Sequence, residues 1–499
     1  MNNSKRYNQI SKIKGGLNIQ DSKKIDDFFI ELEKHLNVSV FSDDSLFNHY
    51  IDAFDYYLSI NKNVDEIIEL IDLKNLGTFY TDFKREVFPL DNVAVVYPLS
   101  LKVNQMAMFR IACTLYEDII PELLQLALDF TIKRFPSYSA VVKSGFFWHY
   151  LETVNYVPIL EKEDDIPCKP ISIFIRSYRS FRVLYYKNRI SIEMFHAITD
   201  GTGAMVFLKT LIREYLRLLG KDIPISDDIL DINDEINEEE LVNEFEKNEI
   251  ESNVDNFIGS KAIQIDGKIQ KVKPYQVLHF EINSDDLKQV AHKYEGSISA
   301  YILAIMFKAI KKSTSKTSGK VNIQVPVNIR KYNNSKTLRN CSMYFFASYD
   351  LKDINDTLTV TRNINKQIKE KGSKENMDKM ISGSIKLIKS FTFIPLIIKV
   401  LIFKLIYGYF ANSVITTTFS NLGMIKTNTQ MQDYIDSFNV LIIPGEPNRT
   451  SCAMASYKDK TVLTITKINK EDIFEKEIYK QLTDEGLIVE VKGSIEYES

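Results

Sequence analysis

Cysteine is scarce in this chain of 499 residues: Cys113, Cys168, Cys341 and Cys452 stand far apart. No pair has CxxC or CxxxC spacing, which argues against a structural zinc site and against a disulfide framework. Four thiols in a reducing cytoplasm are expected instead. An excess of one charge is missing as well. With 63 Lys and Arg against 66 Asp and Glu, the net charge is −3 and the sequence pI about 6.2, so there is no global electrostatic case for nucleic-acid binding. Small molecules or proteins are the expected partners. The first fourteen residues are polar and basic and lack the apolar segment of a secretory leader. Long apolar runs are absent too. Residues 385–410 are strongly apolar, but Lys386, Lys389, Lys399 and Lys404 interrupt them and Pro395 sits in the middle. That falls short of the ~20 apolar residues of a spanning helix. A helix pair or broken helix packed on the protein is expected, with lysine stems covering apolar surface. Shallow peripheral contact with a membrane is the alternative. No repeat of solenoid period is visible.

What the chain does contain is ordinary globular material, 44% apolar and 26% charged. Its length fits three domains, or two large ones with an appendage. Residues 1–84 read as helical. Strands are expected at 93–98, 108–112, 138–142, 172–176, 181–186 and 189–195, with a helix over 117–135. Ile190, Ile192 and Met194 alternate, which predicts a half-buried strand. Met205, Leu208, Ile212, Tyr215 and Leu219 then make one helical stripe, ended by Gly220. The acidic stretch 222–256 reads as a solvated connection. A second αβ region follows, with strands at 277–282, 321–327, 343–349, 414–420, 440–443, 450–457, 461–467 and 487–491. Helices are expected at 284–294, capped by Ser284, and at 297–312 and 473–482.

At the end of the strand 189–195 stands Met194-Phe195-His196-Ala197-Ile198-Thr199-Asp200-Gly201. A strand terminus holds an imidazole rigidly where a cleft can form. Neutral imidazole can take a proton from a hydroxyl, amine or thiol as that group attacks a carbonyl. Gly201 and Gly203 would leave room for substrate. Asp200 is assigned a supporting role, capping the following helix and pairing with an arginine. No third His, Cys or carboxylate lies nearby at ligand spacing, which disfavours a metal site.

The segment His196-Ala197-Ile198-Thr199-Asp200-Gly201 resembles the HxxxDG motif of the chloramphenicol acetyltransferase-like superfamily. That group includes alcohol O-acetyltransferases, polyketide-associated acyltransferases and peptide-synthetase condensation domains. Further pieces resemble the same family in the same order over residues 88 to 495. These are Leu90-Asp91-Asn92-Val93-Ala94 with Tyr97-Pro98, Arg134-Phe135-Pro136, and Gly145-Phe146-Phe147-Trp148. Val325-Pro326-Val327-Asn328-Ile329-Arg330, Thr337-Leu338-Arg339-Asn340 and Ser420-Asn421-Leu422-Gly423 follow. A DFGWG-type sequence of the plant acyltransferases is not found.

The resemblance implies a mixed α/β (α+β) fold of two such subdomains, 85–265 and 266–499, each a mixed sheet flanked by helices, with a tunnel between them. It implies acyl transfer from an acyl-thioester, acyl-CoA as co-substrate, to a hydroxyl or amine, with His196 as general base and no metal. Ser420 and Asn421 are the candidates near the oxyanion; a strand-to-turn cap is the competing reading of that pair. Arg330 and Arg339 both stand as candidates to pair with Asp200. A condensation enzyme using an acyl carrier protein, or a binding protein that kept the fold, are the alternatives. Within 1–84, Asp21-Ser22 and the following Ile25, Phe28, Phe29, Leu32 and Leu36 resemble the second half of an acyl carrier protein, with Ser22 at the phosphopantetheine position. Lys23 replaces the expected leucine, and too few residues precede Ser22 for a full first helix. A helical extension docked on the core is the competing reading.

Overall fold

Two mixed sheets organise the chain. The structure, a computed structural model, describes residues 3–36, 44–82, 84–100, 107–154, 156–169, 180–248, 261–269, 276–406, 412–445 and 448–493. The expected strand at 172–176 lies outside them, as does the tail of the acidic stretch, 249–256.

The first sheet has five strands, in the order Ile435–Ile442, Met108–Leu115, Arg189–Phe195, Phe181–Tyr186 and Glu161–Lys162. Its central strand, Arg189–Phe195, is buried on both faces, not on one. The polar face is closed by ion pairs in place of water. Glu193 binds Arg110 (2.7 Å) and Arg182, and Arg110 also binds Glu163 at 2.6 Å. The outer strand, Ile435–Ile442, comes from the second half of the chain, so no single cut at 265/266 separates the two halves. The second sheet has seven strands, in the order Ser342–Asp350, Lys320–Asn328, Thr417–Ile425, Thr450–Tyr457, Lys460–Lys467, Gln276–Asn283 and Val489–Gly493. Its helix Ile298–Lys312 is buried along most of its length. A small three-stranded sheet joins Val87–Pro89, His149–Thr153 and Ala140–Ser144.

Several local expectations need correction. Residues 93–98 form turns and the short helix Val96–Ser100; Pro98 cannot donate to a ladder but fits a helix's first turn. The strand placed at 138–142 begins only at Ala140, after a 3-10 turn at Pro136–Ser139. The helix placed at 117–135 spans Pro121–Ile132, with proline at its start. Asn283, not Ser284, caps the next helix, accepting from the Asp285 and Asp286 amides; the Ser284 hydroxyl instead bonds that of Thr461. The acidic stretch is only partly solvated. Glu240 is buried and holds Arg134 with two bonds of 2.6 and 2.8 Å.

Residues 1–84 build the helices Asn3–Ile13, Ile19–His35, Ser45–Ser59 and Val64–Leu70. Their core, with Phe28, Phe29 and Phe54 in mutual ring contact, is continuous with that of the five-stranded sheet. The Tyr57 hydroxyl donates to the Leu218 carbonyl (2.6 Å), that of Tyr80 to Asp129 (3.0 Å), and Arg217 to Leu70 (2.9 Å). The extension is docked.

Candidate active site

The central strand ends at Phe195, and the chain turns sharply into the helix Gly201–Leu218. His196 stands in that turn. Its backbone amide donates to Ala107 (2.8 Å) and its carbonyl accepts from the Asn340 side chain (3.1 Å). The half-buried ring is stacked on Tyr97, centroids 5.1 Å apart and planes 23° apart, and Phe109 tilts against it at 5.0 Å. Nδ1 is buried and has no hydrogen-bond partner on another of the described residues; the ring also interacts with its own backbone. Burial lowers the imidazole pKa below its ordinary 6.5, opposed in part by the charge of Asp200. At neutral pH the ring is therefore a neutral base.

Asp200 does not address the imidazole by hydrogen bond. One carboxylate oxygen accepts from the Thr202 and Gly203 amides (3.0 and 3.2 Å), capping the helix. The other accepts from Arg330 at 2.6 Å and from the Cys341 amide at 2.7 Å. Burial alone would raise this carboxyl; Arg330, foremost among several donors, leaves it below the ordinary carboxylate range. Arg330 is thus the arginine that pairs with Asp200. Arg339 approaches Asp91 at 2.9 Å and donates to the Pro89 and Leu241 carbonyls. The motif turn is clamped by the second half of the chain at further points: Thr199 donates to the Leu338 carbonyl (2.7 Å) and Asn328 to the Thr202 hydroxyl (3.0 Å).

The glycines do something other than make room for substrate. A Cβ at Gly203 would lie 2.3 Å from both the Leu338 carbonyl oxygen and the Thr199 hydroxyl, so glycine there lets the turn seat against the 337–341 segment. A Cβ at Gly201 would meet the Leu422 side chain at 2.7 Å. That contact brings the strand Thr417–Ile425, with Ser420 and Asn421, against the motif. Asn421 is engaged at both ends of its amide, donating to Ser299 (2.8 Å) and accepting from the Gly423 amide (2.7 Å), where the strand bulges and Gly423 has φ +74°. It is the turn cap. Ser420, half-buried, keeps its hydroxyl without a partner among the described residues. Ser22 lies inside the helix Ile19–His35, which Asn18 caps.

Sequence reading missed Tyr97 and Phe109 as walls of the imidazole, and Asn340 as the group that fixes its backbone. Tyr97 and Asn340 stand in the pieces that resemble the family, which was the available signal. Phe109 carried none. Among the described residues no group of three His, Cys, Asp or Glu is placed to hold a metal.

No family model and no curated protein matches the sequence. Solved structures do match. F. sporotrichioides TRI101 complexed with coenzyme A and T-2 is 10% identical with a TM-score of 0.56, over 82% of this chain and 99% of that one. Polyketide synthase associated protein 5 from Mycobacterium tuberculosis is 10% identical with a TM-score of 0.53, over 80% and 98%. The starter condensation domain of rhizomide synthetase, in complex with C8-CoA and Leu-SNAC, is 9% identical with a TM-score of 0.52, over 80% and 94%. The chain has the two-subdomain fold of the chloramphenicol acetyltransferase-like acyltransferases and condensation domains.

Proposed function

We propose that this protein is an acyltransferase that moves an acyl group from acyl-CoA to a hydroxyl or amine acceptor, with His196 as general base. The observation that carries the reading is the state of the imidazole. It is walled by Tyr97 and Phe109 and held through its backbone by bonds to Ala107 and Asn340, and burial lowers its pKa, which favours the neutral form. Its Nδ1 is enclosed, so Nε2 is assigned the acceptor's proton. As the acceptor oxygen or nitrogen attacks the thioester carbonyl, the proton passes to His196; collapse of the tetrahedral oxyanion expels the thiolate, which takes that proton back. Ser420 is assigned to donate to the oxyanion. Asp200, Arg330 and Asn340 position the turn and touch neither reactant. The complexes of neighbouring folds with coenzyme A and with C8-CoA support a thioester donor; the condensation-domain likeness keeps a carrier-bound donor as the second reading. The phosphopantetheine role for Ser22 is not adopted.

The test is thiol release from a panel of acyl-CoA donors with pooled alcohols and amines, wild type against His196→Ala. Acceptor-dependent release by wild type, reduced by about 10²–10⁴ in a folded His196→Ala variant, is expected. Release from a carrier-bound donor alone would select the condensation reading. Equal rates in both proteins would remove His196 from the chemistry.

A further inference from the structure

The helix Leu396–Ile406 has its polarity reversed. Phe393, Ile397, Leu401 and Leu405 recur at four-residue steps and are 86%, 76%, 61% and 75% exposed. The side facing the protein holds Leu396 and the fully buried Lys399. Lys399 Nζ donates to the Phe147 carbonyl at 2.8 Å and lies 3.3 Å from the centre of the Trp148 ring. The Leu396 amide donates to Phe146 at 2.8 Å. Helix and hairpin tip are therefore one unit, and Phe146, itself 73% exposed, extends the apolar ridge. The expected arrangement, with lysine stems covering apolar surface, is inverted: a lysine is inside and the hydrocarbon is outside. An ordinary surface helix turns its apolar stripe inward, and a contiguous exposed one marks a docking site.

Charge selects the occupant. From Lys379 to Gln432 the sequence has six lysines and no Asp or Glu. Lys404 is exposed on the helix itself, and Lys386 and Lys389, which have interaction partners of their own, are exposed on the preceding helix. A two-fold pairing of identical chains would set this one-signed rim against itself. An anionic bilayer supplies both complements, acyl chains for the ridge and negative headgroups for the rim. The eleven described helical residues reach about 16 Å, half of the ~30 Å hydrocarbon thickness, and among the described residues no helix is long and apolar enough to cross a membrane, so an interfacial position is the one proposed. We propose that the helix Leu396–Ile406, with the hairpin tip Phe146–Phe147, is a docking surface for an anionic lipid bilayer. The proposal stands on this surface and not on the acyl-transfer reading. The same helix packs against Val96–Ser100, whose Tyr97 stacks on His196, so docking brings the bilayer up to the candidate site.

The full chain would be floated with vesicles of phosphatidylcholine alone or mixed with phosphatidylglycerol, at low and high salt. Expected are binding to the anionic vesicles, loss of most of it at high salt, and little binding to the neutral ones. Ile397→Glu with Leu401→Glu should weaken binding at least about tenfold with thermal stability unchanged, because both side chains are already in water. Lys386→Gln with Lys404→Gln should abolish the preference for anionic vesicles. Absence of vesicle binding by wild type, or binding indifferent to the glutamates, would overturn the proposal. So would a lipid-free dimer that the glutamates dissociate without any vesicle binding, which would assign the ridge to a second copy.

Discussion

A single imidazole carries the proposed chemistry, and its surroundings predict how it responds to pH. The competent form is neutral. Burial places the native pKa below 6.5, so the acid limb of kcat/KM, which reports the free enzyme's base, should fall below pH 6.5. A limb above that value would show that the titrating group is not a buried imidazole. The effect on stability has the same sign. Between the lowered native pKa and 6.5 the unfolded chain binds more protons, so this contribution is complete above 6.5 and is lost as pH falls. Asp200 acts in the same direction in a more acidic window. Its native carboxyl titrates below the ordinary 3.8, so its contribution is present above that value and disappears as pH drops through the native pKa. Asp200→Asn keeps the cap but leaves Arg330 buried opposite a neutral amide. Breaking such a pair costs about 3–5 kcal/mol, and stability should fall more than turnover does. A variant with wild-type melting temperature and no activity would instead place Asp200 in the chemistry.

At the scale of elements, the motif works because a strand end, a turn and a helix start are locked to a segment more than a hundred residues away. Alternation made the strand 189–195 legible, and the stripe Met205, Leu208, Ile212 made the helix legible. What sequence could not supply was what closes each surface. The polar face of Arg189–Phe195 meets Arg110 and Arg182, which no periodicity reveals. The spacing of Arg330 and Arg339 could not decide between them; the fold does, by giving Arg330 to Asp200 and Arg339 to Asp91. Gly203 was read as space for substrate because a glycine beside a motif looks the same whether its neighbour is a ligand or a carbonyl. The neighbour is the Leu338 carbonyl, a backbone atom that cannot swing aside. Gly203→Ala should therefore cost at least the 1–3 kcal/mol typical of overpacking, roughly, and lower activity through the displaced turn. Differential scanning calorimetry would measure it, and a wild-type melting temperature would contradict the packing role.

For the whole molecule, the attachment of the first 84 residues decides between a moving carrier arm and a fixed part of the fold. A carrier arm must leave its resting place to present a thioester, and that requires a shallow attachment. Here Ile25, Phe28, Phe29, Leu32, Phe47 and Phe54 share one core with the helix Pro121–Ile132 and the sheet behind it. Tyr57, Tyr80 and Arg217 add bonds across the junction. Each buried bond of this kind is worth about 0.5–1.5 kcal/mol, and each buried aromatic more, so detachment would expose a large apolar face. Ser22 also sits a full turn into a helix already capped by Asn18, whereas the resemblance puts that serine ahead of its acidic helix. The sequence could show the spacing of Ser22, Ile25, Phe28 and Leu32 but not whether that apolar stripe closes on its own bundle or on another domain. Intact-protein mass spectrometry after incubation with a phosphopantetheinyl transferase and coenzyme A should give an unchanged mass. A gain abolished by Ser22→Ala would mean that the extension opens, and the docked packing would then be the resting state of a carrier rather than a fixed part of the fold.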